Sequence, residues 1–323
     1  MSSIAAAADG FADRRGSRAD RIGDLVLRGL CTLAALLAIV AILAIAHQVI
    51  SGASPAISKF GLGFIGHTTW NPVTGVFGAG VALYGTAVTS AMALLLATPL
   101  AISIGLYLAL MAPGPVRAVV GPLVEMLAAI PSVIMGFWGI IVLAPWLQGV
   151  DPRLHQGLGF LPIFGTADRT GTGLFTAGII LTIMILPIIA SISRDLFLTV
   201  PSELQDGAAA LGATRWEIIR GVVLPSTASG VASAAILGLG RALGEAIAVT
   251  EVLGAGNAIH GSLLQNGDTL ASKIAEQFTA DVTPLEVPAV FYLATILLVL
   301  AVVSNLSAHA IARRFDVATA VSR

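Results

Sequence analysis

Apolar residues in this chain gather into long runs separated by short polar, Gly- and Pro-rich stretches. The runs cover residues 29–50, 79–110, 116–147, 173–193, 221–254 and 288–310. Each has the ~20 residues that a helix needs to cross the hydrocarbon core of a bilayer, so the pattern predicts six membrane spans. Prolines in the second and third runs bear on their shape. Pro99 should kink the second, because a helix-interior proline removes a backbone hydrogen bond and crowds the preceding turn. Ile130-Pro131-Ser132 should break the third, and such a break is tolerated at membrane depth only where protein or a cavity satisfies the freed backbone groups.

The polar stretches orient the spans. Residues 1–28 are Arg-rich (Arg14, Arg15, Arg18, Arg21, Arg28) and read as a disordered or surface-lying cytoplasmic lead. The run that follows is longer than a signal-peptide core and lacks a clear cleavage pattern, so it reads as an uncleaved first span. Arg117, Arg215, Arg220, Arg313 and Arg314 then fall on the same side as the lead. Only Arg153 and Arg169 lie opposite, in a loop over 148–172, which puts both termini in the cytoplasm. The organisation expected is an N-terminal lead over 1–28, a transmembrane domain over 29–310 and a cytoplasmic tail over 311–323.

One polar segment is ordered by its own sequence. Between Val200 and Pro225, Ser202 with Gln205 and Thr214 with Glu217 have capping-box spacing, and Gly212 between them suits the left-handed residue that ends a helix. This predicts a pair of short helices over 201–217 at the membrane surface. Gly207 should loosen the first of them by about 1 kcal/mol relative to alanine.

Composition removes other classes. A 323-residue chain with 56% hydrophobic and 11% charged residues and a mean hydropathy of +0.93 is a polytopic all-α membrane protein, since soluble chains carry about 25% charged residues. Lysine occurs only as Lys59 and Lys273, and no basic surface suggests nucleic acid. Cys31 has no partner for a disulfide, and His47, His67, His155, His260 and His309 do not have the spacing of a helical metal pair. Neither lysine sits in a phosphate-cradling G-x4-G-K-[ST] loop, so ATP hydrolysis by that chemistry is excluded from this chain.

The fifth run carries the chemistry. Arg241 and Glu245 lie four residues apart and should share a helix face. Charges at bilayer depth cost about 2.5–3.5 kcal/mol on insertion scales and are usually paired or line a water-filled path. They could be a self-neutralising packing pair, alone or with Glu125. The functional alternative is that Arg241 meets a permeating anion, for which a guanidinium fork is well shaped. The glycines around Arg241 are spaced for close helix packing, not as a dinucleotide fingerprint.

Asp206-Gly207-Ala208, Gly212 and Val222-x-Leu224-Pro225 resemble the EAA loop of ABC importer permeases in spacing, with Asp, Gly and Val replacing the usual Glu, Ala and Ile. Three further segments are similar to the PstC-type permease of the phosphate ABC importer. They are Glu125-Met-Leu-Ala-Ala-Ile-Pro131-Ser132 with Gly136 and Gly139, the stretch from Gly240-Arg241 to Thr250, and Ser262-Leu263-Leu264 through Ala271. The resemblance implies a type I ABC importer permease fold in the bacterial inner membrane, working by alternating access. It implies coupling to an ATPase through Ser202, Asp206, Gly207, Ala208, Gly212, Thr214 and Glu217. It carries a phosphate-passage role onto Arg241 and Glu245, with Glu125 as a partner of Arg241. The partners implied are a PstA-like permease, a PstB-like ATPase dimer that binds ATP and Mg, and a PstS-like binding protein. Residues 263–278 should form a short external helix. Alternatives are a permease for molybdate or sulfate, or a secondary transporter; a membrane-embedded enzyme could draw carboxylates from Glu125, Glu245 and Glu251, but no histidine or metal set accompanies them in the expected spans.

Overall fold

The computed structural model describes residues 18–166, 168, 170–254, 256, 258–278 and 284–316. Regular structure among them is helical, apart from one isolated bridge between Asn71 and Val76. Six helices are long and apolar enough to cross a membrane. Contacts divide the chain into a segment up to Ser51 and a body from Gly52 onward. The first segment is part of α1 (Arg18–Phe60), so the helix begins within the expected lead. Its described side chains from 22 to 45 are exposed and almost all apolar, as suits a helix solvated by lipid.

The body follows as α2 (Gly63–Gly66), α3 (Gly80–Leu106), α4 (Gly114–Ala128), α5 (Ser132–Trp138) and α6 (Ala144–Leu158). Then come α7 (Leu174–Leu198), α8 (Ser202–Ala210), α9 (Arg215–Ile218), α10 (Leu224–Gly244), α11 (Ile247–Leu253), α12 (Leu270–Gln277) and α13 (Glu286–Asp316). α3 runs on through Pro99 without a break. The run 116–147 is not one broken span. Its first part is the separate helix α4, and the membrane helix starts at Ser132 and runs to Gly157. Pro131 sets both ends: it cannot continue α4, and its extended backbone leads into α5. The expected outer loop over 148–172 is therefore helical as far as Leu158. Arg169 lies outside the described residues.

α7 is the axis of the body, with buried residues on every turn. It packs on α3 through a stripe of Ala93, Ala97 and Ala101, all fully buried. Small side chains let the two backbones approach: a Cβ on Gly105 would sit 3.0 Å from the Arg194 backbone nitrogen. A second cluster joins Ala53, Phe64, Phe77, Leu270, Ala289 and Tyr292, with the Phe64 and Tyr292 rings stacked at 4.4 Å.

Candidate functional site

Between the membrane helices and the polar helix pair, the chain caps itself with local sequence. α8 ends as expected at Gly212, whose φ of +88° is open to glycine and strained for other residues. Gly212 donates to the Ala209 carbonyl and Ala213 to the Ala208 carbonyl, the paired bonds of a Schellman cap. Thr214 then starts α9 with a complete capping box. Its amide donates to Glu217 Oε2 at 2.8 Å, and the Glu217 amide donates back to Thr214 Oγ1.

The Ser202–Gln205 capping box does not form. Pro201, at φ −54° and ψ 135°, takes the cap position and moves Ser202 to the first helical residue, from which its hydroxyl makes no capping bond. Gln205 instead donates to the Val200 carbonyl at 3.3 Å. Asp206 and Gly207 are exposed, Ala208 is half-buried, and open space surrounds Gly207. Sequence reading overlooked three large apolar side chains on this polar pair, Leu204, Leu211 and Trp216, which are 54%, 91% and 64% exposed. Apolar groups this large on a capped, polar segment were the available signal for a docking face.

The run 221–254 is two helices. α10 ends at Gly244, and Glu245 is extended (φ −73°, ψ 114°) rather than helical. Arg241 and Glu245 consequently do not share a helix face. The Glu245 carboxylate turns forward to accept from the Ala248 amide at 3.4 Å, at the start of α11. The two breaks in the membrane helices are neighbours, because Gly136 of α5 packs on the α11 backbone and Gly139, just after α5, packs on an α11 side chain. A Cβ on Gly136 would lie 2.8 Å from Ala248 Cα, and one on Gly139 would lie 2.6 Å from Val252 Cγ1.

Glu125 also departs from expectation. It pairs with Arg194 of α7 at 2.9 Å, not with Arg241, and Arg194 bridges on to Asp195 at 2.7 Å. This ties α4 to the carboxyl end of α7, next to α8. Arg241 takes part in none of the ion pairs among the described residues. It lines a cavity of about 590 Å³ between α7, α10 and α13, together with Ile188, Ser233, Gly240, Ser304 and Asn305. A cationic guanidinium exposed in a roomy, mostly apolar cavity between helices long enough to span a membrane can attract and orient an anion, with no carboxylate in the lining to compete.

On the opposite side, residues 263–267 form a turn and irregular backbone rather than a helix. They lie along the amino end of α7, where the carbonyls of Leu263 and Gln265 accept from Phe175 and Leu174. These bonds satisfy donors that a helix start leaves free. Only Leu270–Gln277 forms the short helix α12, capped by Thr269 with Ser272 and held to α3 by the Leu270 amide donating to Thr86 Oγ1. Asp268 and Lys273 form a buried ion pair at 2.9 Å beside Trp70. Burial raises the Asp268 carboxyl above its ordinary pKa despite Lys273. Burial, then the Asp268 charge, raises Glu276 as well.

Comparison with known proteins is specific. Residues 101–317 match the family described as binding-protein-dependent transport system inner membrane component. The phosphate transport system permease protein PstC of Mesorhizobium japonicum is 41% identical over 300 residues, 92% of each chain. Its namesake in Xylella fastidiosa is 41% identical over 273 residues, 83% of each chain. A bacterial alginate ABC transporter, solved in complex with alginate pentasaccharide-bound periplasmic protein, superposes with a TM-score of 0.60 at 18% identity, covering 90% of this chain and 96% of that one. At that identity the likeness establishes the fold alone, an ABC importer permease fold. By the extent of the family and PstC matches, the chain belongs to the binding-protein-dependent transport system inner membrane components and, among them, to the PstC-type permeases.

Proposed function

We propose that this chain is the membrane-spanning permease subunit of an ATP-driven phosphate importer and that the cavity containing Arg241 lies on the anion's path. The observation that carries the reading is an arginine outside any described ion pair, in a cavity at membrane depth, in a chain whose relatives are named phosphate transport permeases. Arg241 is exposed to the open cavity in the isolated chain, and a charge within a membrane span is usually paired or lines a water-filled path. An anion moving through the cavity would pair with it while bound.

Both termini lie in the cytoplasm in this reading, and α8 with α9 forms the coupling element. Leu204, Leu211 and Trp216 supply apolar contact to a separate ATPase subunit, with Asp206 and Glu217 at the rim. Ser202, Gly207, Ala208, Gly212 and Thr214 give the element its shape. A PstB-like ATPase dimer binds ATP and Mg, a PstA-like permease completes the membrane heterodimer, and a PstS-like protein delivers phosphate from outside. ATP-dependent closure of the ATPases moves α8, and the Glu125–Arg194 tie passes that motion to α4 and α7. Glu245, at the break between α10 and α11, holds the start of α11 and makes that junction the hinge nearest the cavity.

The test is uptake of radiolabelled phosphate into vesicles holding the full complex, with ATP supplied on the ATPase side and with sulfate and molybdate as competitors. Phosphate uptake that tenfold excess sulfate leaves intact supports the reading. Uptake of sulfate or molybdate instead would leave the family and overturn the substrate.

A further inference from the structure

Hydroxyls inside membrane helices tend to donate back to the carbonyl one turn earlier, and this chain follows that habit. Thr89 donates to Gly85, Thr182 to Gly178, Ser233 to Ser229 and Thr295 to Phe291, at 2.7–2.9 Å. Ser304 departs from it. Its Oγ is buried and has no hydrogen-bond partner, although it lies within the regular helix α13. An unpaired buried hydroxyl is costly. Thr98 and Ser193 share that state, but neither lines the Arg241 cavity, and Ser304 does.

We propose that Ser304 is a second ligand of the transported anion: the residue lines the cavity with its hydroxyl enclosed and unpartnered, and rotation about χ1 brings that hydroxyl to one anion oxygen while Arg241 meets the charge. The proposal rests on the cavity being the anion's path. The chemistry suits a hydrogen phosphate, which presents both charged oxygens and a P–OH group, because a serine hydroxyl can donate to the first and accept from the second. It also adds no further fixed charge. A site that must release its ion on every cycle needs binding strong enough to admit the ion and weak enough to let it leave. One arginine with a neutral hydroxyl meets that condition better than two cations would.

The experiment uses the full complex in vesicles with Ser304→Ala, Thr98→Ala and Arg241→Gln, each checked for assembly. Separately, Ser304→Cys is made in a Cys31→Ser background, Cys31 being the exposed free cysteine, and the rate of its modification by a small anionic thiol reagent is followed. The proposal expects Ser304→Ala to slow phosphate uptake by about tenfold, the size of a lost hydrogen bond to a charged group. Thr98→Ala should transport at the wild-type rate. Millimolar inorganic phosphate should slow labelling of the Ser304→Cys variant, whereas chloride of equal ionic strength should not. If Arg241→Gln abolishes uptake while Ser304→Ala transports normally or phosphate gives no protection, the Ser304 assignment is wrong and the path reading survives. If Arg241→Gln transports normally, the path reading and this assignment both fall.

Discussion

Two glycines in the polar helix pair α8–α9 serve opposite purposes, and substitution separates them. Gly207 is helical with open space around its α-carbon, so nothing requires glycine there. Gly207→Ala should stabilise α8 by about 1 kcal/mol, read as slower amide hydrogen exchange over 202–210. Gly212 has equal space but a φ of +88°. Gly212→Ala should cost about 1–2 kcal/mol and speed exchange through the turn; equal effects at the two positions would contradict this division. Titration gives a third residue-scale prediction. Glu276 has a raised pKa in the folded protein, from burial and then from Asp268, so the folded state holds its proton more tightly than the unfolded chain. Its contribution to stability is full below the ordinary glutamate pKa and is lost as pH rises through the raised value. Glu276→Gln should flatten the pH dependence of thermal stability across that window and leave stability at neutral pH no lower. A pH profile unchanged by the substitution would show that another group governs it.

At the scale of elements, two ion pairs of similar length should differ widely in value. Arg194–Glu125 joins α7 to α4 with the Glu125 side chain 51% exposed, so a double-mutant cycle with Arg194→Met and Glu125→Gln should give less than about 1 kcal/mol. Asp268–Lys273 is 4% and 10% exposed. Lys273→Met leaves a buried carboxylate without its partner and should cost about 3–5 kcal/mol, whereas adding Asp268→Asn should recover much of the loss. Thermal unfolding of the single and double variants checks this, and a double variant as unstable as the single would contradict it.

Elements are also where sequence and structure part. Pro131 announced one membrane break because its ring cannot enter a helix interior. The break at Glu245 has no proline; it arises where α11 packs on Gly136 of α5 and on Gly139 just after it, a contact between residues far apart in the chain. Local periodicity therefore ran α10 and α11 together. The Thr214–Glu217 box was legible because both partners lie within one turn. The Ser202 box failed through a one-residue shift imposed by Pro201. Arg241 stood out as a charge in an apolar run, but Glu125 found Arg194 through the packing of α4 on α7, which spacing along the chain does not encode.

For the whole molecule, six apolar helices and the family assignment make this a multi-pass protein of the bacterial inner membrane. Its body keeps its most buried helix, α7, at the centre. The non-helical segment 263–267 bonds to one end of α7, and α8 follows from the other. A rigid axis held at both ends is suited to carrying motion from one membrane face toward the opposite one. The most direct measurement is ATP-dependent phosphate uptake by the full complex in vesicles, comparing wild type with Arg241→Gln at matched assembly. Loss of uptake with the complex intact is the predicted result. Uptake at the wild-type rate would make Arg241 a packing charge and would contradict an anion path through its cavity.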